Sequence, residues 1–262
     1  MLVPSLVLFA FGLCIGSFLN VLIYRLPKSQ SIVSPGSRCP TCGTPIHGYD
    51  NIPLISYALL AGTCRHCRAP ISVRYPLVEG LTGALFALSY AQVNPARFYS
   101  SYTGVLVLIH HLTFVSFLIP ILFIDLDHQI IPNELSYPLL AGGVVFGLLL
   151  RAPFPVLLGA GMGAGLFLLI VGLSWLFLRQ MGMGMGDVKL AAAMGAFLGW
   201  KLALLAFFVS FLLGAVIAAV LLALKLRGRR DRIPFGPFLV AAGLISLFLG
   251  NRLIQFYLGL FW

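Results

Sequence analysis

Residues 1–24 contain no Asp, Glu, Lys or Arg, and neither do 98–124 or 152–178. A helix crossing a bilayer needs about 20 such residues in a row. Runs of this length and polarity leave few folds open. Backbone in lipid must satisfy its own hydrogen bonds, and helices do so locally. The rest of the chain repeats the pattern in shorter pieces, giving eight expected spans near 3–23, 76–93, 103–124, 135–151, 155–178, 188–199, 202–224 and 237–258. The sixth is short and the least clearly bounded. The expected fold class is an all-α polytopic membrane protein of about eight transmembrane helices.

Composition agrees. Charged residues are 9% of the chain, against about 25% in soluble domains, and mean hydropathy is +1.02. The net charge of +10 does not point to nucleic acid, because bases that flank spans set topology. The first apolar run lacks a basic start and a small-residue cleavage site, so it reads as an uncleaved helix. Its bases, Arg25 and Lys28, follow it. Thirteen bases then fall on one side of the eight spans and four (Arg97, Arg151, Lys201 and Arg252) on the other. The bias puts the N-terminus outside and segments 24–75, 125–134, 179–187 and 225–236 in the cytosol. It depends on the sixth span being a true crossing, since "KLRGRRDR" follows it.

The largest soluble piece, 24–75, is too small for a secure core. It carries "CPTC" at 39–42 and "CRHC" at 64–67. Two such knuckles match a tetrahedral zinc site of Cys39, Cys42, Cys64 and Cys67. A reducing cytosol disfavours the alternative, a pair of disulfides. A site closed by four thiolates is structural. The chain divides accordingly into a first helix (1–23), a cytosolic zinc-binding domain (24–75) between helices 1 and 2, and a membrane domain of about seven helices (76–262). His47 and His66 read as exposed loop residues and Cys14 as a small apolar packer.

Seven acids serve the whole chain. Asp50 and Asp231 lie in loops and read as solvated. Asp125 closes the third span and Asp187 opens the sixth, both at the expected cytosolic boundary. Acids at membrane depth suggest function. One carboxylate could activate water while its protonated neighbour polarises a carbonyl, because two close carboxyls titrate as a coupled pair. Helix capping is the plainer alternative. It suits Asp187 at an N-terminus but not Asp125 at a C-terminus. "MGMGMGDVKL", 181–190, places Gly184 and Gly186 before Asp187 and Lys189 after it. Glycine there admits close approach of another chain. "GAGMGAG" at 159–165 has no acid and reads as a helix-packing seam.

These motifs together resemble the type IV prepilin peptidases. Gly184-Met185-Gly186-Asp187 is a GxGD motif. "DLDHQIIP" from Asp125, "GSFLNVLIYRLP" from Gly16, the two knuckles and "RYPLVEG" from Arg74 match the family in order and cover essentially the whole chain. The resemblance implies a bacterial inner-membrane aspartyl peptidase. It would cut the basic leader from prepilins or pseudopilins of type IV pilus or type II secretion systems. It selects Asp125 and Asp187 as the catalytic pair, with Asp127 the rival for the first role. Gly184, Gly186 and Lys189 support the motif. It also implies N-methylation of the new terminus from S-adenosylmethionine, with Gly16, Asn20, Arg25 and Glu79 as candidates for that site. Expected partners are the prepilin and membrane lipid. The alternative function is a proton- or cation-coupled transporter using the same aspartates; the edge position of the acids and the cysteine loop speak against it.

Overall fold

The computed structural model describes residues 2–93, 98, 102–179, 183–226 and 233–259. Arg97, Met181, Gly182, Arg227, Arg229, Arg230, Asp231 and Arg232, all used in the sequence reading, lie outside them. The longer elements among the described residues are helices: α1 (Leu2–Arg25), a short α2 (Ile55–Leu59), α3 (Arg74–Gln92), α4 (Tyr102–His128), α5 (Asn133–Leu150), α6 (Pro153–Leu178), α7 (Met185–Leu198), α8 (Trp200–Ala223) and α9 (Gly236–Gly259). All but α2 coincide with the eight expected spans. Six of them, α1, α4, α5, α6, α8 and α9, are long and apolar enough to cross a membrane unaided. The chain forms two compact units, Met1–Pro120 and Ile121–Trp262.

In the first unit α1 and α3 run antiparallel in close contact. A Cβ on Gly12 would lie 2.7 Å from the Gly83 Cα, and one on Gly16 would lie 2.7 Å from the Glu79 Cα. One turn further, Asn20 Nδ2 donates to the Tyr75 carbonyl at 3.1 Å. Glycine four residues apart lets two membrane helices meet backbone to backbone. At the other end of the pair, Tyr90, Val93 and Leu108 form a small core with Leu8, Phe98, Val107 and Leu112.

The second unit is built around α7. This helix has only 14 residues, yet Val188 and every residue from Leu190 to Leu198 are buried. Its neighbours reach it through their own glycines. A Cβ on Gly143 of α5 would meet Phe197 and Ala196, and side chains on Gly159 and Gly163 of α6 would overlap the Gly195 and Ala191 carbonyls. The seam expected at 159–165 is therefore a wall of α7. Arg151 Nη1 donates to the Phe197 carbonyl at 2.7 Å, satisfying one of the acceptors that a helix C-terminus leaves open. Gly199, at φ +74°, ends α7 and turns the chain into α8. A helix too short to span alone is thus shielded on its sides by protein.

Candidate functional site

Asp125 sits near the C-terminus of α4. Its carbonyl accepts the Gln129 N–H at 3.0 Å. Gln129 then takes a left-handed conformation, φ +54°, which ends the helix. Residues 130–132 lead from there to α5. Ile131 in this stretch lies on the start of α7, where a Cβ on Gly186 would come within 2.9 Å of the Ile131 Cβ. A side chain at Gly186 would push the two apart.

Asp187 occupies the first turn of α7. Its Oδ2 accepts the Gly184 N–H at 3.2 Å, and its own N–H donates to the Gly184 carbonyl at 3.2 Å. So the capping geometry is present, and the carboxylate also faces a cleft. That cleft, of about 240 Å³, is lined by Asp125, Gln129, Ile130, Ile131, Gly184, Gly186 and Asp187. Asp125 is 5% exposed and Asp187 9%. Asp127 is exposed and does not line it. Two residues on along a helix point to nearly opposite sides, so only one of the two α4 acids can face α7. Lys189 points elsewhere: its Nζ donates to Asn133 Oδ1 at 2.7 Å and lies 5.0 Å from the centre of the Tyr137 ring. It ties α7 to the start of α5.

A third element abuts Asp125, and the sequence reading missed it. Gly236, the first residue of α9, abuts Asp125: a Cβ there would lie 2.5 Å from Oδ2 and 3.0 Å from Cγ. That Oδ2 is buried and has no hydrogen-bond partner in good geometry among the described residues. An acid at a helix C-terminus is poorly placed by the dipole of its own helix, but here it meets the N-terminus of another. Phe235 holds the turn, its ring tilted against Phe211 at 5.2 Å and Phe167 at 6.0 Å. The available signal was "PFGP" at 234–237, a glycine between prolines at the mouth of a span.

The four sulfurs of Cys39, Cys42, Cys64 and Cys67 lie within 4.8 Å of one another. Cys39 and Cys67 are 3.8 Å apart. Zinc–sulfur bonds near 2.3 Å in a tetrahedron put sulfurs about 3.8 Å apart, so the donor set fits zinc. The knuckles repeat one another. "CPTCGTPI" and "CRHCRAPI" share C-x-x-C-x-x-P-I, a regularity not used in reading the sequence. Gly43 N–H donates to the Cys39 carbonyl at 2.9 Å and Arg68 N–H to the Cys64 carbonyl at 3.0 Å. Both donors are left-handed, φ +69° and +58°. Thr44 Oγ1 lies 3.3 Å from Cys42 Sγ and, bonding to the thiolate, helps pull that thiol down to about 6. Asp50, expected to be solvated, instead holds Arg65 at 2.6 Å across the module, and the guanidinium keeps its carboxyl below the usual range. Cys14 is exposed on α1 rather than packed.

The four residues assigned to methyl transfer gather at one end of α1 and α3. Gly16 and Asn20 make the helix contacts given above. Glu79 Oε2 accepts the Leu54 N–H at 2.9 Å. Arg25 donates to the Ser31 carbonyl at 2.7 Å and the Pro35 carbonyl at 2.6 Å. All four have structural work: Gly16 and Asn20 join α1 to α3, and Arg25 and Glu79 tie the segment carrying the cysteines to that pair.

Comparison with known proteins covers both units. A family model described as Bacterial Peptidase A24 N-terminal domain matches residues 10–93, and one described as Type IV leader peptidase family matches 112–219. A prepilin leader peptidase/N-methyltransferase of Aeromonas hydrophila is 38% identical, over 95% of this chain and 92% of that protein. One of Pseudomonas aeruginosa is 37% identical, over 94% and 91%. One of Myxococcus xanthus is 43% identical over 82% of this chain, which spans 62% of that protein's length. No solved structure matches.

Proposed function

The chain belongs to the type IV leader peptidase family, and on that premise we propose that Asp125 and Asp187 are its catalytic pair. It is a bacterial multi-pass membrane enzyme, a prepilin leader peptidase/N-methyltransferase. The observation that carries the assignment is the single cleft with both carboxylates on its wall and Asp127 off it.

One carboxylate, ionised, takes a proton from water as the oxygen adds to the scissile carbonyl carbon. The other, protonated, donates to the carbonyl oxygen. The carbon–nitrogen bond then breaks: the amine leaves with a proton from the pair, a hydroxyl of the tetrahedral gem-diol gives its proton to the other carboxylate as the carbonyl re-forms, and the pair again holds a single proton. Gly184 leaves room for an extended peptide beside Asp187, while Gly186 lets Ile131 close against the start of α7. In the proposed orientation the cleft faces the cytosol, and the apolar part of a prepilin lies against the spans while its basic leader stays in water.

Cys39, Cys42, Cys64 and Cys67 would hold zinc, which supplies folding energy rather than chemistry. By role, 24–75 is the metal-binding domain and 76–262 the peptidase domain. S-adenosylmethionine, when bound, supplies an electrophilic methyl group on a cationic sulfur. Gly16, Asn20, Arg25 and Glu79 remain our candidates to hold it. A buried carboxylate, Glu79, suits a cationic donor.

The test is direct. The purified, lipid-reconstituted protein is given a prepilin, and products are read by mass. Parent enzyme yields the cut chain with one added methyl. An Asp125→Asn, Asp187→Asn chain that still cuts at the parent rate overturns the assignment.

A further inference from the structure

The short helix α2 is built inside out for a loop in water. Ser56 on its inner side is buried, accepting the Ile52 N–H at 3.1 Å and donating to the Tyr49 carbonyl at 2.9 Å. Its outer side carries Ile55, 56% exposed, and Leu59, 81% exposed, one turn apart. Ile52, just before it, is exposed as well. In a soluble helix the apolar stripe faces inward.

The height of α2 says what covers that side. Leu54, immediately before α2, gives its N–H to Glu79. Glu79 is the sixth residue of α3, about 7 Å along the helix from its start. So α2 lies beside the first turns of α3, at the level where Glu79 packs on Gly16 of α1, a helix long and apolar enough to span. Val73, just before α3, and Leu77 in its first turn are exposed apolar residues as well.

Charge agrees. Residues 24–75 hold six bases (Arg25, Lys28, Arg38, Arg65, Arg68 and Arg74) and one acid, Asp50, for a net +5. Basic segments next to spans are drawn to acidic lipid headgroups. Lys28 also lies over the Tyr24 ring at 3.6 Å, at the end of α1. This is the aromatic and cationic pairing of a membrane boundary.

We propose that α2 is an interfacial anchor: Ile52, Ile55 and Leu59 insert into the lipid leaflet beside α1 and α3, under a basic module that faces acidic headgroups. The cysteine module is then held at two points, by Glu79 and by the bilayer. The inference goes beyond the peptidase reading and does not depend on it.

The full chain, zinc-loaded and with Trp175, Trp200 and Trp262 changed to Phe, is reconstituted in phosphatidylglycerol and phosphatidylethanolamine vesicles. A single tryptophan is placed by Leu59→Trp, by Ile55→Trp, or at the exposed tip by Val33→Trp. Zinc content confirms that each variant is folded. Lipids brominated near the glycerol end of their chains should remove most of the emission at 59 and 55, and iodide should remove little. At 33 the order should reverse. Emission at 59 and 55 that iodide removes and bromolipid does not would overturn the anchor. So would protection that appears only when a prepilin is added, which would make the face a substrate dock.

Discussion

Gly236 and Asp125 touch so closely that a methyl group on the glycine would lie 2.5 Å from the carboxylate oxygen. The neighbour is a side chain, so Gly236→Ala is accommodated by moving Asp125. Misplacing a reacting group by about 1 Å can cost roughly 10²-fold. Gly236→Ala should therefore lower kcat by up to about that factor, with KM little changed and zinc retained. A parent-like kcat would show that Asp125 has room to spare, and that the contact does not position it.

This contact also marks the limit of what local sequence tells. Apolar runs set the helices, because lipid leaves backbone no other solution. Two C-x-x-C knuckles gave the four sulfurs, because the spacing itself brings each pair together. Asp187 was legible from the glycines before it. Gly236 was not, since nothing near it in the chain mentions Asp125; only the packing of α9 against the end of α4 brings them together. The short α7 was expected to be uncertain as a span, and its solution, burial by glycines of α5 and α6, is likewise a property of packing. Asp50 read as solvated for the same reason: its partner Arg65 lies on the other knuckle.

The metal prediction rests on the sulfur geometry. The purified protein should carry about one zinc per chain, the stoichiometry of one four-thiolate site. Cys39→Ser with Cys42→Ser should remove it and open residues 37–71 to protease. Acid should release the metal as thiolates take up protons. While the module is folded, the Asp50–Arg65 pair adds stability of its own. Its carboxyl is depressed when folded, so its contribution is present above the unfolded value near 4 and is lost only as pH falls through the lower folded value. A metal-free protein with all four cysteines in disulfides would refute the site.

Orientation is tested at two exposed positions, Gln30 and Ala152. Each is changed to Cys in a Cys14→Ser chain that keeps its zinc thiols. An impermeant maleimide added to intact spheroplasts should mark 152 and leave 30 unmarked until lysis. Marking of both from outside would break the proposed topology.

Glu79 separates two roles. Gln at this position keeps an oxygen for the Leu54 N–H but loses the charge, whereas Ala leaves that donor unmatched, at a cost of about 1–3 kcal/mol. If the charge serves methyl transfer, Glu79→Gln should still cut prepilin, keep its zinc and leave the new amine unmethylated. Glu79→Ala should in addition loosen the module. Full methylation by Glu79→Gln would confine Glu79 to holding Leu54.

The aspartate pair makes the strictest prediction. Asn keeps the shape of Asp but moves no proton. General acid–base groups contribute about 10²–10⁴-fold each, and losses within one shared mechanism do not add. Asp125→Asn and Asp187→Asn should therefore each nearly abolish cleavage, and the double variant should be little worse. Asp127→Asn should be mild, because Asp127 is exposed and off the cleft. All of these variants should insert and bind zinc as the parent does, since neither acid belongs to the cysteine module. The pH–rate profile of the parent should be bell-shaped, with one limb for gaining a second proton and one for losing the first, and both belong to the pair rather than to either residue. Should Asp127→Asn abolish cleavage while Asp125→Asn leaves it intact, the first acid has been misassigned, and α4 must turn its other side to α7 during the reaction.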